Sequence, residues 1–144
     1  MKKKFFLLII SGLISSFAVS CDSNNSGTAG ALIGNYRLYS LLLKDQAVTL
    51  YAGQINDWMG GETTISGTLS LSAQTYSLLM TIEMNSFGVE YSTTTQDDGT
   101  YTANDSAITM TSDDGETQTV YNYSFEGIQL ILENDSEERV FTRI

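Results

Sequence analysis

The chain has 144 residues, of which 42% are apolar, with 17 acidic side chains against 7 basic ones and a formal charge of −10. It holds no histidine and a single cysteine, which excludes Ser-His-Asp and Cys-His nucleophile schemes, zinc sites built on His and Cys, and any internal disulfide. The acidic balance opposes nucleic acid and anionic lipid headgroups as partners.

The first element is an N-terminal targeting segment. Lys2, Lys3 and Lys4 precede an apolar run, Phe5–Val19, that is diluted by Ser11, Gly12, Ser15 and Ser16 and ends at Ala18-Val19-Ser20-Cys21. A basic start, an apolar core and small residues before a cut site make a secretory signal peptide. The run is shorter than the roughly 20 apolar residues of a spanning helix. Ala18-Val19-Ser20-Cys21 resembles the lipobox of bacterial lipoproteins. The resemblance implies that residues 1–20 are a lipoprotein signal peptide, that diacylglycerol is joined to Cys21, and that the new amino end is acylated after cleavage. It also implies a location in the bacterial cell envelope, lipid-anchored to a membrane on the periplasmic or extracellular side. The other reading is an ordinary cleaved signal that leaves Cys21 a free thiol, a liability in an oxidising compartment. Without residues 1–20 the cations are Arg37, Lys44, Arg139 and Arg143 against 17 acids, a balance of −13. Membrane binding then rests on the acyl chains at Cys21, each buried methylene contributing about 0.8 kcal/mol.

Residues 21–31 are small and polar (Asp22 to Ala31 reads DSNNSGTAGA) and predict a flexible tether, with an end-to-end distance on the order of 18 Å. Residues 32–144 suffice for one domain with one core. Their dominant period is two. Ile65, Leu69 and Leu71 share one face with Gly67; Tyr76, Leu78, Met80, Ile82 and Met84 alternate with Ser77, Leu79, Thr81 and Glu83. Phe87, Val89 and Tyr91, then Tyr121, Tyr123 and Phe125, then Ile128, Leu130 and Leu132 continue the pattern. Half-buried strands with one wet face read this way. The spacing predicts strands over 34–43, 63–72, 75–84, 87–95, 99–103, 106–112, 116–125, 127–133 and 138–143. Hairpin residues separate them: Asn85-Ser86, Asp97-Asp98-Gly99, Asn104-Asp105, Asp113-Asp114-Gly115, Glu126-Gly127 and Asn134-Asp135-Ser136. The predicted fold is all-β, an antiparallel up-and-down meander of 8–9 strands closed into a barrel that removes its own edges; a two-sheet sandwich is the alternative. Asp45–Glu62 breaks the alternation and reads as a lid or Ω-loop carrying Trp58 and Met59.

Residues 33–144 resemble the bacterial lipocalin-like domains of the calycin group. Gly34-Asn35-Tyr36 is similar to the Gly-x-Trp opening of lipocalins, and Arg143 matches the basic residue that covers that aromatic ring. The resemblance implies a lipocalin-like barrel closed structurally by Gly34, Tyr36 and Arg143, and it leaves the ligand open.

The acids fall in turns and on wet faces, so no catalytic residue and no enzyme activity is expected. Nor is any cofactor or metal: Asp97-Asp98-Gly99 and Asp113-Asp114-Gly115-Glu116 lack EF-hand spacing and read as hairpin turns. The apolar face mixes aromatic rings with flexible thioethers, which suits an adaptable pocket. Candidate lining residues are Leu69, Tyr76, Leu78, Met80, Met84, Phe87, Tyr91 and Met110, with Trp58 at the mouth. The same residues would equally fill a solid barrel, and Trp58 would equally plug its end. The expectation is a non-catalytic envelope lipoprotein that binds a small hydrophobic molecule. The alternative is a protein-binding module, an envelope inhibitor or assembly factor, that uses its acidic surface and loops. A glycan-directed enzyme is a third option and would need two acids about 5–9 Å apart in a cleft.

Overall fold

The computed structural model describes residues 30–144; Cys21, the expected signal peptide and all but the end of the tether lie outside the described residues. All ten described strands lie on one continuous antiparallel sheet, and period-two alternation accounts for the longer ones. Its strands are β1 (Gly34–Leu43), β2 (Val48–Tyr51), β3 (Asn56–Trp58), β4 (Gly61–Leu71), β5 (Thr75–Ser86), β6 (Val89–Ala103), β7 (Ala107–Ser112), β8 (Gln118–Glu126), β9 (Gln129–Glu133) and β10 (Glu137–Arg143). Eight of them, β4 to β10 and then β1, follow one another round a closed up-and-down barrel.

β1 closes it. One edge of β1 pairs with β10, from Tyr36↔Arg143 to Leu43↔Glu137. The other edge is divided: Gly34–Arg37 pair with Leu71–Thr68 of β4, and Ser40–Leu43 pair with Tyr51–Val48 of β2. Between these halves the register with β10 shifts across Leu38 and Ser40. A bulge at this point bends β1 away from β4. The gap is filled by the segment read from sequence as a loop. Lys44–Gln46 form one 3-10 turn, β2 extends the edge of β1 and β3 pairs with β4. The Asn56 side chain holds the connection, accepting from the Tyr51 N–H and donating to the Tyr51 and Thr63 carbonyls. The loop expectation fails because Val48 and Leu50 are too few to show a period.

The inward faces make one core, with Leu32, Tyr36, Leu50, Leu69, Ile108, Leu130 and Phe141 fully buried. At the base, where the chain enters, the Tyr36 hydroxyl donates to the Leu32 carbonyl (2.7 Å). The Arg143 guanidinium lies 5.3 Å from the Tyr36 ring centroid and donates to the Tyr36 hydroxyl (2.8 Å) and to the carbonyls of Ala31 (2.5 Å) and Ile33 (3.1 Å). Gly34 leaves room for that guanidinium, since a Cβ there would sit 3.1 Å from Arg143 Nε.

Two turn expectations need correction. The strands expected over 87–95 and 99–103 are one fifteen-residue strand, β6, which begins only at Val89. Asp97 is an inward strand residue whose carboxylate accepts from the Tyr76 and Ser112 hydroxyls (2.9 and 2.7 Å). Gly99 is needed for close approach, because a Cβ there would collide with the Thr111 carbonyl. The β5–β6 hairpin turns at Phe87-Gly88, both at positive φ (53° and 79°), and not at Asn85-Ser86. The Asp113–Glu116 segment is a turn: Asp114 Oδ1 accepts from the backbone N–H groups of Glu116 and Thr117.

Tyr36→Phe should cost about 1–2 kcal/mol in urea unfolding, because the Leu32 carbonyl and an Arg143 nitrogen each lose a partner. Gly99→Ala should cost more, by forcing β6 off β7. A Gly99→Ala midpoint equal to that of the unchanged protein would refute the close-approach argument.

Candidate functional site

Strand lengths decide what the barrel presents at the end opposite its base. β7 has six residues and β6 has fifteen, so β6 pairs with β7 only from Gly99 to Ala103. Val89–Asp97 run on roughly 30 Å, at about 3.3 Å per residue, accompanied only by β5. The result is a long hairpin overhanging the mouth. At its tip Phe87 is 98% exposed and held at φ 53°. A left-handed backbone costs a β-carbon residue about 1–2 kcal/mol, so this ring is held in water at a conformational cost. Val89, Tyr91 (56% exposed), Ile55 and Met59 add apolar surface at the same end.

A groove of about 500 Å³ runs beside the hairpin, lined by Ile55, Met84 and Tyr91 together with Glu62, Glu83, Glu90, Thr64, Asn85 and Ser92. By strand register Glu62, Glu83 and Glu90 share one face while Met84 and Tyr91 point to the other, so the groove offers three carboxylates beside Ile55, which suits a cationic ligand. Among the described residues, no group of three or more Asp, Glu, Cys or His side chains is placed to hold a metal ion.

Inside the mouth, a cavity of about 170 Å³ is lined by Leu78, Met80, Thr95, Asp97, Met110, Thr119, Tyr121 and Arg139. Its polar wall is tied into two hydrogen-bonded sets. Asp97 receives Tyr76 and Ser112, as above. Glu137 Oε1 accepts from the Tyr121 hydroxyl (2.9 Å) and pairs with Arg139 (2.7 Å), and Arg139 lies 5.7 Å from the Tyr121 ring centroid. Burial disfavours phenolate, so the Tyr121 pKa is pushed well above the ordinary tyrosine value. Desolvation also raises those of Tyr76 and Tyr101. A third hollow, about 410 Å³, lies outside the barrel where β1 leaves β4, between Leu38, Gly67, Leu79 and Ala52, with Arg37 at its rim.

The nine residues singled out as lining fall in five places. Leu69 and Tyr76 are core, while Leu78, Met80 and Met110 line the small internal cavity. Met84 and Tyr91 line the outer groove, and Phe87 is the exposed turn residue, not a strand position. Trp58 ends β3, half-buried against the core, and its indole N–H donates to Gln46 (2.7 Å). Sequence reasoning passed over Arg139, Asp97, Thr95, Thr119 and Tyr121. Arg139 was within reach, since it shares a period-two face with Phe141 and Arg143; Asp97 was hidden by its turn-like neighbours Asp98 and Gly99.

Neither a family model, nor a curated protein, nor a solved structure matches this chain.

The buried tyrosines set an alkaline limit. With the folded-state pKa of Tyr121 above its unfolded value of about 10, its contribution is complete below pH 10 and is lost as pH rises beyond it. Stability by urea titration should therefore fall above about pH 10, and fall less steeply in Tyr121→Phe. Identical slopes in the two proteins would show that Tyr121 is not the group responsible.

Proposed function

We propose that the chain is a non-catalytic, lipid-anchored lipoprotein of the bacterial cell envelope whose lipocalin-like barrel uses its distal hairpin to bind a partner protein. The observation that carries this reading is Phe87, a fully exposed aromatic ring at a strained turn position on an overhanging hairpin. Strain at an exposed apolar residue is retained where something other than folding favours it. The arrangement also suits an anchored protein. The described chain begins at the base, against Arg143, while the hairpin lies at the opposite end, so a tether attached through Cys21 would leave the hairpin facing away from its membrane. The acidic groove lined by Glu62, Glu83 and Glu90 favours a basic partner.

A second reading, the small hydrophobic molecule expected from the apolar strand face, draws support from the internal cavity with Met80, Met110 and Leu78 on its wall. That space is below the roughly 300–1,000 Å³ of most ligand pockets, and its polar side adds Asp97 and Arg139. Its occupant would be small and partly polar.

Phe87→Asn separates partner binding from stability. Asn-Gly is the preferred pair for a two-residue turn with positive φ at both positions, so stability should rise by about 0.5–1 kcal/mol. Capture of a stoichiometric envelope partner by cross-linking should fall sharply in the same variant. Undiminished capture by Phe87→Asn would count against the hairpin as the binding element.

A further inference from the structure

The distal hairpin carries a second feature besides its aromatic tip. Backbone N–H and C=O groups of one strand residue point to the same side, and the side alternates. The Tyr101 N–H donates to the Gln74 carbonyl on the β5 side, and the Asp98 carbonyl accepts from the Asp113 N–H on the β7 side. Odd-numbered residues of β6 therefore face β5, and Glu90, Ser92, Thr94 and Gln96 turn their backbone groups outward. β7 ends at Ser112 and its last rung is the Asp113–Asp98 bond, so no described strand covers these groups. Exposed edges are normally blunted by proline, lysine, a bulge or a covering loop. Val89-Glu90-Tyr91-Ser92-Thr93-Thr94-Thr95-Gln96 has no proline and no lysine, and its register with β5 is unbroken from Thr75↔Thr100 to Ser86↔Val89.

We infer that the free edge of β6 is a strand-addition site for an extended, lysine- or arginine-bearing segment of a partner protein. The inference rests on the reading that the distal end binds a protein, and it specifies how. Side chains of an added strand would alternate between two surfaces. One carries Glu90, with Glu83 and Glu62 beyond it on β5 and β4; the other carries Val89 and Tyr91. A segment alternating cationic and apolar residues matches both. Charge argues against a second copy as the occupant, because residues 21–144 hold four cations against 17 acids and self-pairing would bring two such bodies together.

The test uses the full chain in detergent micelles and a synthetic peptide of about ten residues alternating lysine with valine. Amide hydrogen exchange at Ser92, Thr94 and Gln96 should slow on the order of tenfold or more at millimolar peptide, while the amides already paired to β5 change little. The same peptide N-methylated at every residue has no N–H left on either edge, cannot complete the ladder and should give no slowing. Thr94→Pro removes an outward N–H without breaking a backbone bond to β5; it gives up only the exposed hydroxyl contact to Thr81 (3.0 Å), so it should keep the fold and abolish the effect. Equal slowing by the N-methylated peptide would overturn strand addition while leaving distal partner binding intact. No slowing at all would overturn it too. Protection that grows with protein concentration without peptide would make a second copy the occupant and would also overturn it. Slowing by the lysine–valine peptide alongside undiminished partner capture in Phe87→Asn would uphold the edge and defeat the Phe87 reading.

Discussion

The fold depends on β1 having two partners on one edge. Its first half pairs with β4 and closes the ring, while its second half leaves to pair with β2. Closure at the base lets the core be dry there, and the Tyr36–Arg143 contact places a permanently charged group over an aromatic face with three oxygen acceptors around it. A guanidinium is suited to this position because its planar fork can donate to several acceptors while its face lies on a ring. Without a disulfide, this clamp and the pairing of the eight strands are what hold the barrel closed.

The opposite end follows from mismatched strand lengths. A barrel whose strands were all as short as β7 would end in tight turns. β5 and β6 instead outrun their neighbours, so half of β6 has a partner on one side only. That geometry leaves backbone groups without a strand partner, apolar rings and carboxylates together at the end farthest from the entry of the chain. An isolated two-stranded extension is marginal in water, and β4 supports this one by pairing along β5 up to Glu62↔Asn85. The support stiffens the hairpin while leaving its outer edge open.

The interior tells a different story from the rim. An apolar face alone would have made either a solid core or a greasy pocket. The barrel has both a filled lower half and a small upper cavity whose charged groups are paired: Arg139 with Glu137, and Asp97 with two hydroxyls. Buried ion pairs seldom add stability over an apolar replacement, although breaking one is costly.

Much of this was already fixed by the order of residues. Alternation from Tyr76 to Met84 and from Tyr121 to Phe125 dictated strands with one wet face, and Asn104, Asp114 and Asn134 dictated turns through their own side-chain oxygens. The absence of histidine and of a second cysteine removed whole classes of chemistry. Such properties are local, set by neighbours two to four residues apart. What the tertiary structure alone decided is non-local. Asp97-Asp98-Gly99 became strand because Thr111 and Tyr76 lie against it, and Asp45–Glu62 became two strands because β1 bends away from β4. The face that holds Tyr76, Met80, Met84 and Tyr91 was readable as one stripe. Where along that stripe the core ends and the exposed hairpin begins depended on the length of β7, a strand more than twenty residues away from Met80.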